Sequence, residues 1–236
     1  MSEHASPLDQ ISTRWVLIRD PEQFTLRYAP AIRKYLEAIL RDPHEAAEAT
    51  QEFVLKGLRL GMVDPDGLRG RFRDYLKRAV RNTALTHLRR KKPGGPLPGQ
   101  LADPRADTDA DREWLAEWRR CVLDRTWRRL EAHQRESPGN LAHTVLRLSV
   151  EHPDEDSDAL AARASRASGR PLLPAAFRKQ LSRARRLFAG FLVAEVAQTL
   201  EEPTAERVEE ELAAVGILPV VRDFLPPDWK DQLPRG

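Results

Sequence analysis

The chain has 236 residues, of which 41% are hydrophobic and 32% charged, and its formal net charge is +3. No apolar run is long enough to span a membrane, and the single cysteine, Cys121, excludes an intrachain disulfide and a cysteine-cluster zinc site. The first residues lack the basic and apolar regions of a signal peptide, so we expect a globular protein that works in the cytoplasm and has no membrane partner.

The first ninety residues predict three helices. Apolar residues within 24–40 follow the three-four spacing of one helix face. Asp42 is the expected N-cap of a second helix and Pro43 its first residue. The turn 64–67 ends that helix, and a third helix with an unbroken apolar stripe begins near Gly70.

The third predicted helix also carries most of the excess positive charge. Residues 69–92 contain ten Lys or Arg residues and a single acidic residue, Asp74. Arg73, Lys77 and Arg81 are four residues apart and therefore form one row on the helix surface. Charge concentrated in this way needs a polyanion or a solvated face. Because the segment is also helical, we interpret it as an element that lies on nucleic acid.

The composition changes at residues 93–111, which hold four prolines, three glycines and four aspartates. Such a segment predicts a solvated linker. It divides the chain into two small helical domains, at 12–92 and 112–200. An acidic helix and a proline-rich tail follow over 201–236, with Thr204 as the expected N-cap of the helix. The predicted fold class is all-α.

Four helices are predicted in the second domain. In chain order they are a helix over 112–135, a short apolar helix that ends before His152, an Ala-rich helix over 158–165 and a long helix from Pro174 toward Leu200. The last two are joined by a tight turn that contains Gly169, which is the helix-turn-helix pattern. Residues 170–186 contain six Lys or Arg residues and no acidic residue, so a second positive patch falls on this motif.

Two spans of the first domain resemble bacterial RNA polymerase sigma factors. Residues 45–58, Glu-Ala-Ala-Glu-Ala-Thr-Gln-Glu-Phe-Val-Leu-Lys-Gly-Leu, resemble the Asp-Leu-Thr-Gln-Glu-Val-Phe helix of that family. Residues 70–90, with Gly-Arg-Phe-Arg-Asp-Tyr-Leu near their start and Leu88-Arg89-Arg90 at their end, resemble its following helix. The order of a promoter-melting domain, a linker and a helix-turn-helix domain is similar to the extracytoplasmic-function (ECF) type.

The resemblance implies three contact surfaces. The Thr-Gln-Glu helix of the family docks on the clamp coiled coil of the polymerase, which implicates Glu48, Thr50, Gln51 and Glu52. The next helix holds the melted −10 element, which implicates Arg73, Tyr75, Lys77, Arg78, Arg81, Asn82, Thr86, His87, Arg89 and Arg90. The recognition helix enters the major groove of the −35 element, which implicates Arg178, Lys179, Gln180, Arg183 and Arg186. Gln180 can pair with adenine through two hydrogen bonds.

The sequence also departs from the family at particular positions. Ala49 stands where the family usually has Leu, and Phe53-Val54 invert the usual Val-Phe order. Leu173 takes the place of the usual Ser or Thr cap of the recognition helix.

The resulting expectation is a sigma factor, a non-catalytic subunit that directs core RNA polymerase to promoter DNA. We expect no catalytic residues, no cofactor and no metal site, since Glu48 replaces the second histidine of the zinc-protease pattern that begins at His44. An anti-sigma or other regulatory protein is a further candidate partner. Two alternatives remain at this point. One is a helix-turn-helix regulator that never binds polymerase, and the other is an adaptor whose acidic helix over 204–215 and tail bind protein or fold back over a basic patch.

Overall fold

The computed structural model of the chain describes residues 21–60, 71–91, 109–137, 139–200, 202–231 and 233. These residues form nine α-helices and no β-strand, apart from a single antiparallel bridge between Arg71 and Leu200. The all-α fold class is therefore confirmed. The helices are α1 (Pro21–Leu40), α2 (Pro43–Leu60), α3 (Phe72–Lys91), α4 (Asp109–Glu136), α5 (Ala142–Glu151), α6 (Ser157–Ser168), α7 (Pro174–Ala197), α8 (Ala205–Ala214) and α9 (Leu218–Val221).

Local sequence signals set several helix ends as predicted. The carboxylate of Asp42 accepts hydrogen bonds from the backbone N–H groups of His44 and Glu45, at 2.8 and 3.2 Å, and so caps α2. The hydroxyl of Thr204 accepts from the N–H of Arg207 at 3.4 Å and caps α8. The predicted turn 64–67 lies outside the described residues.

Two helices are longer than predicted. α4 begins at Asp109, inside the predicted linker, and its first turn contains acidic residues that interact favourably with the positive end of the helix dipole. The part of the predicted linker before Asp109 lies outside the described residues. α6 continues to Ser168 and stops at Gly169, whose φ of 65° is the left-handed conformation that suits glycine.

The larger hydrophobic core joins the first three helices to later parts of the chain. The rings of Tyr28 in α1 and Trp118 in α4 are stacked, with centroids 4.6 Å apart, and Phe72 at the start of α3 contacts both rings. The second half of α7 and the helices α8 and α9 complete this core, in which Leu212 is fully buried. Side chains from both sides of the predicted linker therefore fill one core. The predicted domain boundaries, at 12–92 and 112–200, stay a prediction.

A smaller core holds the second positive region of the sequence. It is formed by the last part of α4, by α5 and α6, and by the first part of α7. Leu130, Val145, Ala164 and Phe177 are at most 1% exposed there. Since α4 and α7 contribute to both cores, they connect the two halves of the molecule. None of the described helices has the length and apolar character needed to cross a membrane.

Candidate nucleic-acid and polymerase interface

The row formed by Arg73, Lys77 and Arg81 faces other parts of the protein. Arg73 is 9% exposed and donates from Nε and Nη2 to the two carboxylate oxygens of Glu211 in α8, at 2.8 and 3.2 Å. Lys77 Nζ lies 3.1 Å from Oδ1 of Asp111 in α4, and Arg81 is 8% exposed. In this arrangement the row supports the packing of α3, and its predicted contact with DNA stays a prediction.

Two other predicted DNA contacts on α3 are half-buried. The ring of Tyr75 lies 6.4 Å from that of Phe72, and Tyr75 packs against the larger core. The Nε2 atom of His87 is 3.6 Å from a carboxylate oxygen of Glu45 in α2, and its side chain is 11% exposed. Both side chains therefore lie between helices, with little surface left for a ligand.

The solvent side of α3 carries a second row, which we call the outer stripe: Arg78, Asn82, Thr86 and Arg89. All four residues are exposed, and they follow one another at three- or four-residue spacing on one face of the helix. The hydroxyl of Thr86 donates to the backbone carbonyl of Asn82 at 2.9 Å. Among the described residues, neither Arg78 nor Arg89 has an acidic partner, so their charges are available to an external anion.

The remaining cations of this region are largely compensated within the protein. Five of them form ion pairs with carboxylates: Arg71, Arg73, Lys77, Arg90 and Lys91. Within residues 71–91 the positive patch on the surface is therefore smaller than the sequence indicates, and its exposed cations without a carboxylate partner there are Arg78 and Arg89 of the outer stripe. Sequence spacing predicted the row of Arg73, Lys77 and Arg81 correctly. It could not reveal that acidic side chains of α8 and α4 pair with Arg73 and Lys77.

The predicted polymerase-binding residues occupy neighbouring positions on α2. Glu48 and Gln51 are exposed, whereas the hydroxyl of Thr50 donates to the backbone carbonyl of Ala46 at 2.6 Å and so is directed back to its own helix. Glu52 pairs with Arg90 of α3 at 2.8 Å. The four predicted residues are thus near one another, and Thr50 is the one that faces solvent least directly.

Sequence reasoning missed one residue of this surface, Leu55. Its side chain is 41% exposed and lies one turn beyond Gln51. The signal was present in the spacing, since Leu55 falls off the face formed by the buried residues Ala46, Ala49 and Phe53. We call the set Glu48, Gln51, Glu52 and Leu55 the outer α2 surface.

The helices α6 and α7 are joined by a turn that Ser165 stabilises. Its hydroxyl donates to the backbone carbonyl of Ala161 and accepts from the N–H of Leu172, both at 2.8 Å. The two helices pack through Ala164 and Phe177 in the smaller core. This geometry is that of two helices around a tight turn, as the sequence predicted.

Four of the five predicted base-contacting side chains on α7 face solvent. These are Arg178, Lys179, Arg183 and Arg186, and none of them forms an ion pair with another described residue. Gln180 differs, because it is half-buried and its Oε1 atom is buried without a hydrogen-bond partner in the described part of the chain. Together with Arg183 it lines a cavity of about 380 Å³ beside residues 139–142. Its predicted pairing with adenine stays a prediction.

The described residues offer neither a metal-binding cluster nor a reactive thiol. No group of three His, Cys, Asp or Glu side chains there is arranged to hold a metal ion. Cys121 is buried, and burial raises the pKa of its thiol to about 11, so the reactive thiolate is scarce at neutral pH.

One family model matches the first part of the chain. Residues 24–93, which include α2, α3 and most of α1, match the family model of sigma-70 region 2. No curated protein and no solved structure matches the chain. Sigma-70 region 2 is a domain of a non-catalytic polymerase subunit, and the match, which covers less than a third of the chain, supports a role as a sigma factor in promoter recognition and melting. Core RNA polymerase and promoter DNA are the partners that this domain implies.

Proposed function

We propose that the chain is a sigma factor of the ECF type, which binds core RNA polymerase and directs it to promoters through separate −10 and −35 contacts. The observation that carries the proposal is the position of the outer stripe. It lies inside the segment that matches sigma-70 region 2, on the solvent side of α3. A subunit with this role works in the cytoplasm, where an anti-sigma or other regulatory protein is a further proposed partner.

The outer stripe suits a melted DNA strand. Arg78 and Arg89 lack acidic partners among the described residues, so both can neutralise phosphates. The amide of Asn82 between them can donate to and accept from an unpaired base. Arg73 and Lys77 then have a supporting role, since their pairs with Glu211 of α8 and Asp111 of α4 help to fix the position of α3.

The outer α2 surface is the proposed site for the polymerase. Its polar members Glu48 and Gln51 lie on the same helix face as an exposed apolar side chain, Leu55. A rim of polar groups around an apolar contact is the usual composition of a protein interface. The ion pair between Glu52 and Arg90 connects this surface to the end of α3, so the polymerase and DNA contacts lie on adjacent helices.

The proposed −35 contact is the first part of α7. Four exposed cations there face solvent without acidic partners among the described residues: Arg178, Lys179, Arg183 and Arg186. In a helix-turn-helix protein the first turns of the second helix reach base edges in the major groove. The packing of α6 against α7 and the hydrogen bond from the Leu172 N–H to the Ser165 hydroxyl support this proposal, because they fix the start of α7 on the smaller core.

The test combines polymerase binding with promoter opening. The full chain is expected to bind core polymerase in a pull-down and to direct transcription in vitro from members of a promoter library. The double variant Arg78→Ala/Arg89→Ala should retain polymerase binding and lose open complexes, which permanganate reactivity of unpaired thymines detects. The control Arg128→Ala removes an exposed cation of α4 and should leave both activities unchanged.

Two results would contradict the proposal. Normal promoter opening by the double variant would show that the outer stripe does not hold the −10 strand. Duplex DNA binding without any polymerase binding would support a helix-turn-helix regulator instead.

A further inference from the structure

Leu173 is the most exposed large apolar side chain among the described residues, with 73% of its surface accessible. It packs in neither core, although its neighbour Leu172 packs against the smaller one. Leu173 is the N-cap residue of α7, and Pro174 follows it at the first helical position. The side chain therefore projects from the tip of the helix that we propose enters the major groove.

Leu173 is an N-cap residue that is both apolar and exposed. Ser, Thr, Asp and Asn are the preferred N-cap residues because their side chains accept a hydrogen bond from the first backbone N–H groups. Leu173 forms no such bond. The N-caps of α5 and α9, Leu141 and Ile217, lack one too, but both pack in or against a core, whereas Leu173 does not. Helix stability thus does not explain a leucine here, and neither does burial.

The surroundings of Leu173 indicate the kind of partner that its side chain meets. No Asp or Glu occurs between Asp158 and Glu195. The nearest exposed charged residues along the chain are Arg170 and Arg178. Such a positive surface fits a duplex, and the apolar group that a duplex presents in the major groove is the 5-methyl group of thymine.

We propose that Leu173 is a base-reading side chain that contacts the 5-methyl group of a thymine in the −35 element. This inference rests on the proposed function, because it needs α7 in the major groove. It assigns to Leu173 a specificity for one base position, in addition to the phosphate contacts of the neighbouring cations.

The test removes only the methyl group. The full chain is bound to core polymerase, a −35 sequence is enriched from the promoter library, and each thymine on either strand is replaced by deoxyuridine. Replacement at one position should weaken DNA binding about fourfold, the factor expected for one buried methyl-sized group. In Leu173→Ala that position should lose its sensitivity, and in Leu173→Met it should keep it.

A matched control is available on α5. Val150 is 59% exposed and packs in neither core, so Val150→Ala should respond to deoxyuridine as the unmodified chain does. Equal deoxyuridine effects in the unmodified chain and Leu173→Ala would overturn the inference, as would insensitivity at every thymine; both leave the proposed function standing. Failure to bind polymerase or to enrich any promoter would instead overturn the proposed function, and the inference with it.

Discussion

At the scale of single residues, the pair formed by Arg73 and Glu211 shows how the structure changes the interpretation of a charge. The sequence presents Arg73 as one cation in a row, available to DNA. In the structure its guanidinium meets a carboxylate that is 1% exposed and belongs to α8, far along the chain. Arg71 also reaches the same carboxylate, at 3.2 Å. The primary role of Arg73 in this arrangement is to hold α8 against the start of α3.

We expect Glu211→Gln to destabilise the protein by about 3–5 kcal/mol, because it removes the buried carboxylate that pairs with Arg73 and leaves that charge only the exposed Asp74, at 3.8 Å. Chemical denaturation followed by circular dichroism measures the change. The control is Glu210→Gln, since Glu210 has a side chain that is 66% exposed and, among the described residues, pairs with Arg71 alone, at 3.3 Å. An exposed pair contributes about 0–1 kcal/mol. Equal effects of the two substitutions would contradict this role for the buried pair.

At the scale of elements, local signals predicted the helices α1 to α8, but neither the short α9 nor the side chains that cover each helix. The apolar stripe of α3 was correct, and Phe72, Leu76, Val80 and Ala84 are all buried, because a three-four spacing is a property of the helix alone. The burial of its cationic row depends on acidic residues that lie in other helices, such as Asp111. Sequence spacing carries no information about those distant partners. About half of the residues that we predicted on α3 to contact DNA therefore lie on its covered side.

The hydroxyl of Ser165 is expected to stabilise the turn between α6 and α7. Ser165→Ala removes the hydroxyl that accepts from the N–H of Leu172, and loss of one such hydrogen bond costs about 1 kcal/mol. We expect a stability loss of that size, measured by denaturation, and weaker binding to −35 duplex with unchanged polymerase binding. Ser182→Ala is the control for stability, because Ser182 is exposed on α7. An unchanged stability of Ser165→Ala would show that the turn does not depend on this hydroxyl.

At the scale of the whole molecule, two long helices connect the two cores. The first half of α4 contributes Trp114 to the larger core, and its later part contributes Leu130 to the smaller one. The helix α7 does the same in the opposite order, since Phe177 near its start is in the smaller core and Leu192 is in the larger. A proline- and glycine-rich linker predicts two independent domains from composition alone. In the structure the larger core contains side chains from both sides of that linker, and the continuous helices α4 and α7 couple it to the smaller core.

We therefore expect the protein to unfold in one cooperative transition. Leu36→Ala in the larger core and Leu130→Ala in the smaller core each remove a fully buried side chain, at a cost of about 2–5 kcal/mol. Because α4 and α7 transmit the loss of either core to the other, each variant should lower the midpoint of the whole calorimetric transition, with the calorimetric and van 't Hoff enthalpies equal. Two separate transitions, of which each variant shifts only one, would instead show that the two cores unfold independently. That result would uncouple the smaller core, which holds the proposed helix-turn-helix, from the larger core, whereas a single transition means that the two proposed DNA contacts belong to one cooperative unit in the free protein.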